Sequence, residues 1–518
     1  MPKNIVLLSD GTGNSAAKPF KTNVWRLYQA LDLGPPRVPG QVQQIVFYDE
    51  GVGTENFKPL RLLGLAFGIG LARNVKDLYT FLCRNYNPGD GIFLFGFSRG
   101  AFTVRVLAGL VLRCGLVTAS NEADLEERVE LAYSEYKRDV ARRATATRPR
   151  LIAGRILGGP RRGYNTNHIT LGVPQLFPRI SFIGVWDTVD AYGMPIDELK
   201  LAIDRYLWPM TVADRNLSPY IDRACQALSL DDERPTFRPV LWDERIPPHA
   251  RLTQVWFSGV HANVGGGYPD DGLAYVAMQW MLDEAGASGL RFYPQDRIAV
   301  DNRTDTQAKQ YDSRSGLAGY YRYGPRIVDR LCNDTEHGVQ VRRPKVHASV
   351  QDRIRQRQVA YAPVSFPSDY QVFRRTGQNM PLEPVAPQLG TPQQNRERID
   401  DMEAAWDAVF RRRVAYFTTV ALTLLLAAFP VLDYLGWLPG SLFGWNPIPE
   451  PLSTALSSLL KMAARFTPSW TAWWLASFAK FPVLFLISAV MLLWLFFKKS
   501  HELQKEIFAR AEYAWRRV

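Results

Sequence analysis

Hydrophobic positions divide this chain into two regimes. Near the C-terminus, Val414–Leu432 (VAYFTTVALTLLLAAFPVL) runs nineteen residues without a charge, directly after Arg411, Arg412 and Arg413. Phe481–Phe497 (FPVLFLISAVMLLWLFF) is a second such run, set between Lys480 and the Lys498-Lys499 pair. An apolar helix needs about 20 residues to cross ~30 Å of hydrocarbon, and buried helices of soluble domains usually keep a polar face at that length. Both runs are therefore expected to span a membrane as a hairpin. Upstream, the apolar runs are short: Ile5–Leu8, Ile92–Phe95, Ile180–Trp186 and Leu252–Phe257, each ending in a polar or glycine-rich stretch. Helical periodicity appears in Val24–Leu33 and Ala101–Leu112. Short buried strands alternating with helices predict an α/β fold, a mostly parallel sheet flanked by helices.

Thr376–Asn395 (TGQNMPLEPVAPQLGTPQQN) is rich in Pro, Gln and Gly, a composition that opposes regular elements and suits a linker. The expected division is a body at 1–375, large enough for a catalytic domain, a linker at 376–410, a transmembrane hairpin at 411–499 with spans at 414–432 and 481–497, and a tail at 500–518. Breaks are also expected at the Arg- and Gly-rich stretch 141–165 and at 286–310. The basic residues before the first span and after the second put both ends on the cytoplasmic side. Between the spans, Trp437, Trp445, Trp470, Trp473 and Trp474 and the amphipathic stretch Leu452–Phe466 suit the far headgroup interface. The tail alternates charges at helical spacing, which predicts a solvated helix.

Composition narrows the function classes. With 47% hydrophobic and 22% charged residues the 518-residue chain is globular rather than disordered. Lys and Arg total 62 against 50 Asp and Glu, a net +12. That excess suits an anionic membrane face; with no nucleic-acid recognition motif or basic-aromatic array, nucleic acid is not an expected partner. Four cysteines, Cys83, Cys114, Cys225 and Cys332, have neither zinc-ribbon spacing nor the density of a disulfide scaffold.

The strand Ile92–Phe95 leads into Gly96-Phe97-Ser98-Arg99-Gly100 and then into a helical pattern. Strand, G-x-S-x-G, helix is the context of a nucleophile elbow, where side chains two residues either side of the serine would collide with neighbouring backbone. Ser98 is thus the candidate nucleophile. A serine hydroxyl needs a base, oriented by a carboxylate, and in α/β-hydrolases the order along the chain is Ser, acid, His. Asp187 closes the strand Ile180–Trp186, and His261 sits in a glycine-rich loop after Leu252–Phe257. Asp190, Asp231, Asp232, Asp270 and Asp271 are rivals for the acid; His337 and His347 compete as base, ahead of His168, His249 and His501. An oxyanion hole would draw on the N–H of Arg99 and on Gly11 or Thr12 in the loop after the first strand. That loop, Gly11-Thr-Gly13-Asn-Ser-Ala16, also matches a dinucleotide fingerprint with Asp32 at the right spacing. However, Val24–Leu33 predicts a helix where the fingerprint wants a strand before its acid. No cofactor and no metal is expected.

These residues resemble the type VI secretion lipase effectors of the first class (Tle1-like), whose α/β-hydrolase catalytic domain was catalogued as domain of unknown function 2235. The resemblance rests on Asp10-Gly-Thr-Gly-Asn14, Gly96-Phe-Ser-Arg-Gly-Ala101, Gly184-Val-Trp-Asp-Thr-Val189 and Trp256-Phe-Ser-Gly-Val-His-Ala-Asn-Val-Gly-Gly-Gly-Tyr268. Val346-His-Ala-Ser-Val350 and Tyr361-Ala-Pro363 extend it over roughly 1–375. It implies an esterase acting on glycerophospholipids with Ser98, Asp187 and His261 as triad. The spans and their flanking basic residues, rather than the resemblance, set the expected location: a bacterial inner membrane with the catalytic domain on the cytoplasmic side. The sequence identifies no immunity or secretion partner. The alternative from another class is a catalytically retired hydrolase fold serving as a membrane scaffold or binding module.

Overall fold

The computed structural model describes residues 2–11, 18–51, 65–157, 167–189, 215–245, 251–335, 337–357, 360–386, 389–437, 449–467 and 469–517. It comprises two compact units, Met1–Ser315 with Pro325–Gly390, and Gly316–Gly324 with Thr391–Val518.

The first unit is built on a nine-stranded sheet: β1 Lys3–Ser9, β2 Gln43–Asp49, β3 Gly91–Phe97, β4 Ile180–Trp186, β5 Ile221–Ser229, β6 Leu252–Phe257, β7 Lys345–His347, β8 Gln371–Arg374 and β9 Glu383–Val385. Their spatial order is β9-β8-β7-β6-β5-β4-β3-β1-β2, and every neighbouring pair is parallel except β8 with β9. The chain leaves β1 for β2 on one side and returns to β3 on the other. That reversal makes the carboxyl ends of β1 and β3 a topological switch point, the usual ligand position in such sheets.

Both faces are covered by helices, which is why the central strands read as unbroken apolar runs. Alternate residues serve opposite layers. Ile5, Leu7, Ile92 and Leu94 pack beneath α2 Leu65–Asn85, α3 Arg99–Cys114 and α4 Glu122–Leu157. Val6, Leu8, Phe93, Phe95 and Phe97 pack toward α1 Asn23–Ala30 and α6 Gly272–Ala287, the latter following the short α5 His261–Gly265. β5 departs from the apolar rule, since it buries Gln226 and Ser229. Gln226 accepts from Thr188 Oγ1 at 2.6 Å and donates to Gln254 Oε1 at 3.0 Å, so its amide is satisfied inside the sheet layer.

Several sequence expectations change. Within the expected linker 376–410, Glu383–Val385 pairs antiparallel with β8, and α8 Pro392–Tyr434 begins after a Thr391 cap whose hydroxyl accepts from Gln394 N–H. Backbone pairing along a sheet edge and a capped first turn outweigh the local composition. The break expected at 141–165 is helical through Leu157, and 158–166 lie outside the described residues. The break at 286–310 contains α7 Pro294–Arg303.

In the second unit, α8 is followed by α9 Glu450–Phe466, α10 Ser469–Lys480, α11 Pro482–Leu493, a π-turn at Trp494–Lys499 and α12 Ser500–Trp515. Two helical stretches, Pro392–Tyr434 and Pro482–Trp515, are long and apolar enough to cross a membrane by length and composition. The tail is not a fully solvated helix. Leu503, Ile507, Ala511 and Ala514 are buried, as are Met402, Ala405, Ala408 and Val409 of α8, where small residues let the two backbones approach. Arg411 pairs with Glu506 at 2.6 Å and Arg517 with Asp401 at 2.8 Å along this seam. Tyr320, from the segment that joins this unit, accepts or donates a 3.2 Å hydrogen bond with Thr423 of α8.

One buried carboxylate ties the far edge of the sheet to its helical layer. Asp283 of α6 receives Arg297 of α7, Arg375 Nε at 2.6 Å and Asn379 N–H at 2.9 Å, just beyond β8. Asp283→Ala removes the buried counter-charge of Arg297 and leaves Arg375 only Asp301, 3.2 Å away, and is expected to cost about 3–5 kcal/mol. Denaturant unfolding checks this, and an unchanged midpoint would contradict the tie.

Candidate active site

β3 ends at Phe97 and α3 begins at Arg99, leaving Ser98 alone in the turn with φ +57° and ψ −121°. Its N–H donates to Trp186 O at 3.0 Å, which stitches the elbow to β4. The flanking glycines are required by contact. A Cβ on Gly96 would lie 2.5 Å from Gly100 O, and one on Gly100 would lie 2.1 Å from Ser9 O. The elbow therefore presses directly on the end of β1.

Asp187 follows β4 with φ +41°, and its N–H donates to Ala227 O at 2.7 Å. Among the described residues four non-glycine residues have positive φ, and two of them are Ser98 and Asp187. Strain of this kind, about 1–3 kcal/mol per residue, concentrates at sites that use it. His261 opens α5, and its N–H donates to Asp232 Oδ2 at 3.2 Å. Phe97 lies against the imidazole at 4.6 Å between ring centres and Phe237 meets it edge-on at 5.1 Å. The ring is thus held from its backbone and from two sides.

These three side chains converge. Ser98 Oγ is 2.7 Å from His261 Nε2, and His261 Nδ1 is 2.6 Å from Asp187 Oδ2. An ionised Asp187 can only accept, so Nδ1 carries a proton and Nε2 is left to accept from the Ser98 hydroxyl. All three are buried, Asp187 completely.

The electrostatics support that protonation state. Burial alone would raise the Asp187 pKa, but the Arg326 guanidinium and the His261 hydrogen bond outweigh it and hold the carboxyl well below the usual carboxylate range. Burial lowers the His261 pKa, Asp187 opposes this, and Arg234 adds to the lowering; the imidazole ends below its ordinary value. Asp232 is also held low despite burial, chiefly by Arg234.

The rival residues serve elsewhere. Asp231 accepts from Gly259 N–H at 2.6 Å and Tyr361 OH at 3.0 Å, and burial pushes its carboxyl up to about 7. Asp270 accepts from Lys309 N–H, and Asp271 pairs with Arg26. His337 pairs with Asp334 on the surface, His168 stacks on Phe177 and His501 is exposed on α12. His347 is buried under Phe257, its Nδ1 accepting from Ser349 N–H at 3.2 Å. Asp190 and His249 lie outside the described residues.

For the oxyanion donors, Arg99 N–H heads α3 directly after Ser98. Gly11 N–H is engaged by the Asp10 carboxylate at 2.6 Å, which also accepts from Thr22 Oγ1 at 2.6 Å and Tyr48 OH at 2.8 Å. Thr12 lies outside the described residues. Asp32, the acid of the dinucleotide pattern, follows a helix and sits beside Arg291 at 3.4 Å.

Two features had no counterpart in the sequence reading. Arg326 donates to both oxygens of Asp187, and the Asp232–Arg234 pair supports the backbone of His261. Nothing in the spacing of Gly324-Pro325-Arg326 signals a partner 139 residues away.

The model of the type VI secretion phospholipase effector Tle1-like catalytic domain matches residues 3–284. The chain belongs to this family. The match contains Ser98, Asp187 and His261 and stops within α6, before Arg326 and β7 to β9. An uncharacterized protein of Saccharomyces cerevisiae is 37% identical over 150 residues, 26% of this chain and 20% of the yeast protein. A crystal structure of an uncharacterized protein from Pseudomonas aeruginosa shares 17% identity at a TM-score of 0.33, over 62% of this chain and 50% of that one. The chain thus spans a fifth of the yeast relative's length and half of the solved chain's.

The buried competitor makes a pH prediction. Burial lowers His347 from 6.5 to about 3, so the unfolded chain binds its proton first on acidification. Its contribution is complete above about 6.5 and is lost as pH falls toward about 3, the loss reaching about 2 kcal/mol by pH 5. His347→Asn, which can still cap the helix that follows, is expected to flatten the stability decline between pH 6.5 and 5 in denaturant titrations. An undiminished slope would contradict this assignment.

Proposed function

We propose that this protein is a membrane-anchored serine hydrolase of the α/β-hydrolase type that cleaves ester bonds of phospholipids. The observation that carries the reading is the continuous hydrogen-bond chain from the strained Ser98 through His261 to Asp187. In this reading His261 takes the Ser98 proton as Oγ attacks the ester carbonyl, and Asp187 stabilises the imidazolium that forms. Arg99 N–H and a donor from the β1 loop, Thr12 in preference to the engaged Gly11, stabilise the developing oxyanion. His261 then protonates the departing alcohol. Water repeats the cycle on the acyl-serine, releasing the fatty acid. Membership of a phospholipase effector family supports phospholipid as the substrate class.

The same proposal gives the second unit the role of anchor. Only 17% and 11% of the two apolar windows are buried, unlike the core helix of a soluble domain. Leu424, Leu425, Val431, Val490, Leu493 and Phe497 are exposed, a surface that water does not favour and hydrocarbon does. We read the two spans as a hairpin in a bacterial inner membrane. Arg411–Arg413 and Lys498-Lys499 mark the cytoplasmic side, where the catalytic body 1–375 would also lie. Anchoring raises the effective concentration of substrate without adding a contact to the site.

Ser98→Ala is expected to lower fatty-acid release from phospholipid vesicles by roughly 10³-fold or more while the melting temperature is kept; a folded variant with wild-type release would exclude Ser98 as nucleophile. A tag placed after Val518 is expected to resist external protease in intact spheroplasts, and its digestion would overturn the topology.

A further inference from the structure

We propose that Arg326 is a positioning residue for this hydrolysis. Its two-pronged grip on Asp187 fixes the carboxylate against His261 and balances its charge, so that the imidazole stands neutral to receive the Ser98 proton. The inference rests on the triad reading above.

Arg326 Nη1 lies 2.7 Å from Asp187 Oδ1 and Nη2 lies 2.8 Å from Oδ2. The guanidinium is itself tethered, since Nη1 donates to Ser229 O at 2.6 Å and Nη2 to Phe237 O at 2.5 Å. Its side chain is 2% exposed. Ser229 adds N–H to Oδ1 at 3.0 Å and Oγ to Oδ2 at 3.2 Å. With His261 on Oδ2, both carboxylate oxygens are saturated and the group has no room to rotate. A fork of this kind fixes orientation as well as charge, which a point cation does not.

The charges around the imidazole cancel. Asp187 and Asp232 face it with negative charge; Arg326 and Arg234 face them with positive charge. Asp232 and Arg234 pair with each other at 2.7 Å, and Arg234 lies over Phe237 at 3.7 Å. Tyr268 is a further titratable neighbour of that pair, and Asp231 turns to Gly259 and Tyr361. Removing Arg326 leaves one buried negative charge in excess beside His261. An uncompensated carboxylate favours the imidazolium, which cannot accept the serine proton.

The test uses the full-length protein in detergent, hydrolysing p-nitrophenyl butyrate from pH 5 to 9, as wild type, Arg326→Gln, Arg326→Lys and Ser98→Ala. For Arg326→Gln the acid limb of kcat/KM is expected to move up by about one pH unit. Its kcat should fall at least ~10-fold with KM nearly unchanged, the signature of an interaction used in the transition state. Arg326→Lys keeps the charge and loses the fork, so its acid limb should stay at the wild-type position while kcat falls. A purely structural role would lower the melting temperature without moving the limb. An Arg326→Gln protein with the wild-type limb overturns the proposal, as does Arg326→Lys with a limb shifted as far as that of the glutamine variant. Should the glutamine variant not fold, the lysine variant decides alone, and unchanged kcat there overturns the proposal. Hydrolysis surviving in Ser98→Ala would instead remove the triad reading itself, independently of Arg326.

Discussion

A single buried carboxylate carries opposing demands in this molecule. Fully enclosed, Asp187 would ordinarily take up a proton, yet it is the ionised form that accepts from both the Arg326 guanidinium and His261 Nδ1–H. Arg326 and His261 together outweigh the burial and keep it charged. Asp187 also adopts positive φ, and its N–H bond to Ala227 O ties that conformation to β5. The site therefore depends on β4 and β5 lying in register, with Trp186 opposite Ala227. Displacing either strand would separate the carboxylate from its guanidinium and leave a lone buried charge.

The topology explains how residues so distant along the chain meet. In a parallel sheet every strand delivers its loop to the same edge, so Ser98 after β3, Asp187 after β4 and His261 after β6 emerge side by side. The reversal between β1 and β3 brings the β1 loop against the elbow, close enough that Gly100 admits no side chain beside Ser9 O. Close backbone approach at Gly96 and Gly100 thus supplies the tight turn, and the strain at Ser98 is sustained by the packed layers on both sides.

Much of this was legible from hydrophobic patterning because the central strands are buried on both faces. β1, β3, β4 and β6 announce themselves as apolar runs, and Ser98, Asp187 and His261 sit at their ends. β5 is hidden by Asp222, Arg223, Gln226 and Ser229, polar residues whose partners come from a neighbouring strand, from loops and, for Arg223, from Glu284 of α6, and leave no local pattern. β7 to β9 are three or four residues long, too short for periodicity to register. The tail helix carries its buried seam in Leu503, Ile507, Ala511 and Ala514, small and apolar positions outnumbered by the charges around them. Arg326 was invisible because an arginine after a proline carries no indication of a partner so far away in sequence.

Labelling of the full-length, detergent-solubilised protein with a fluorophosphonate serine probe tests the central claim most directly, because the probe reacts with serines activated by a neighbouring base. The account predicts that the folded wild type is labelled and that both Ser98→Ala and His261→Ala abolish the label. A folded wild type that stays unlabelled in detergent and on phospholipid vesicles, or label that persists in Ser98→Ala, would contradict it.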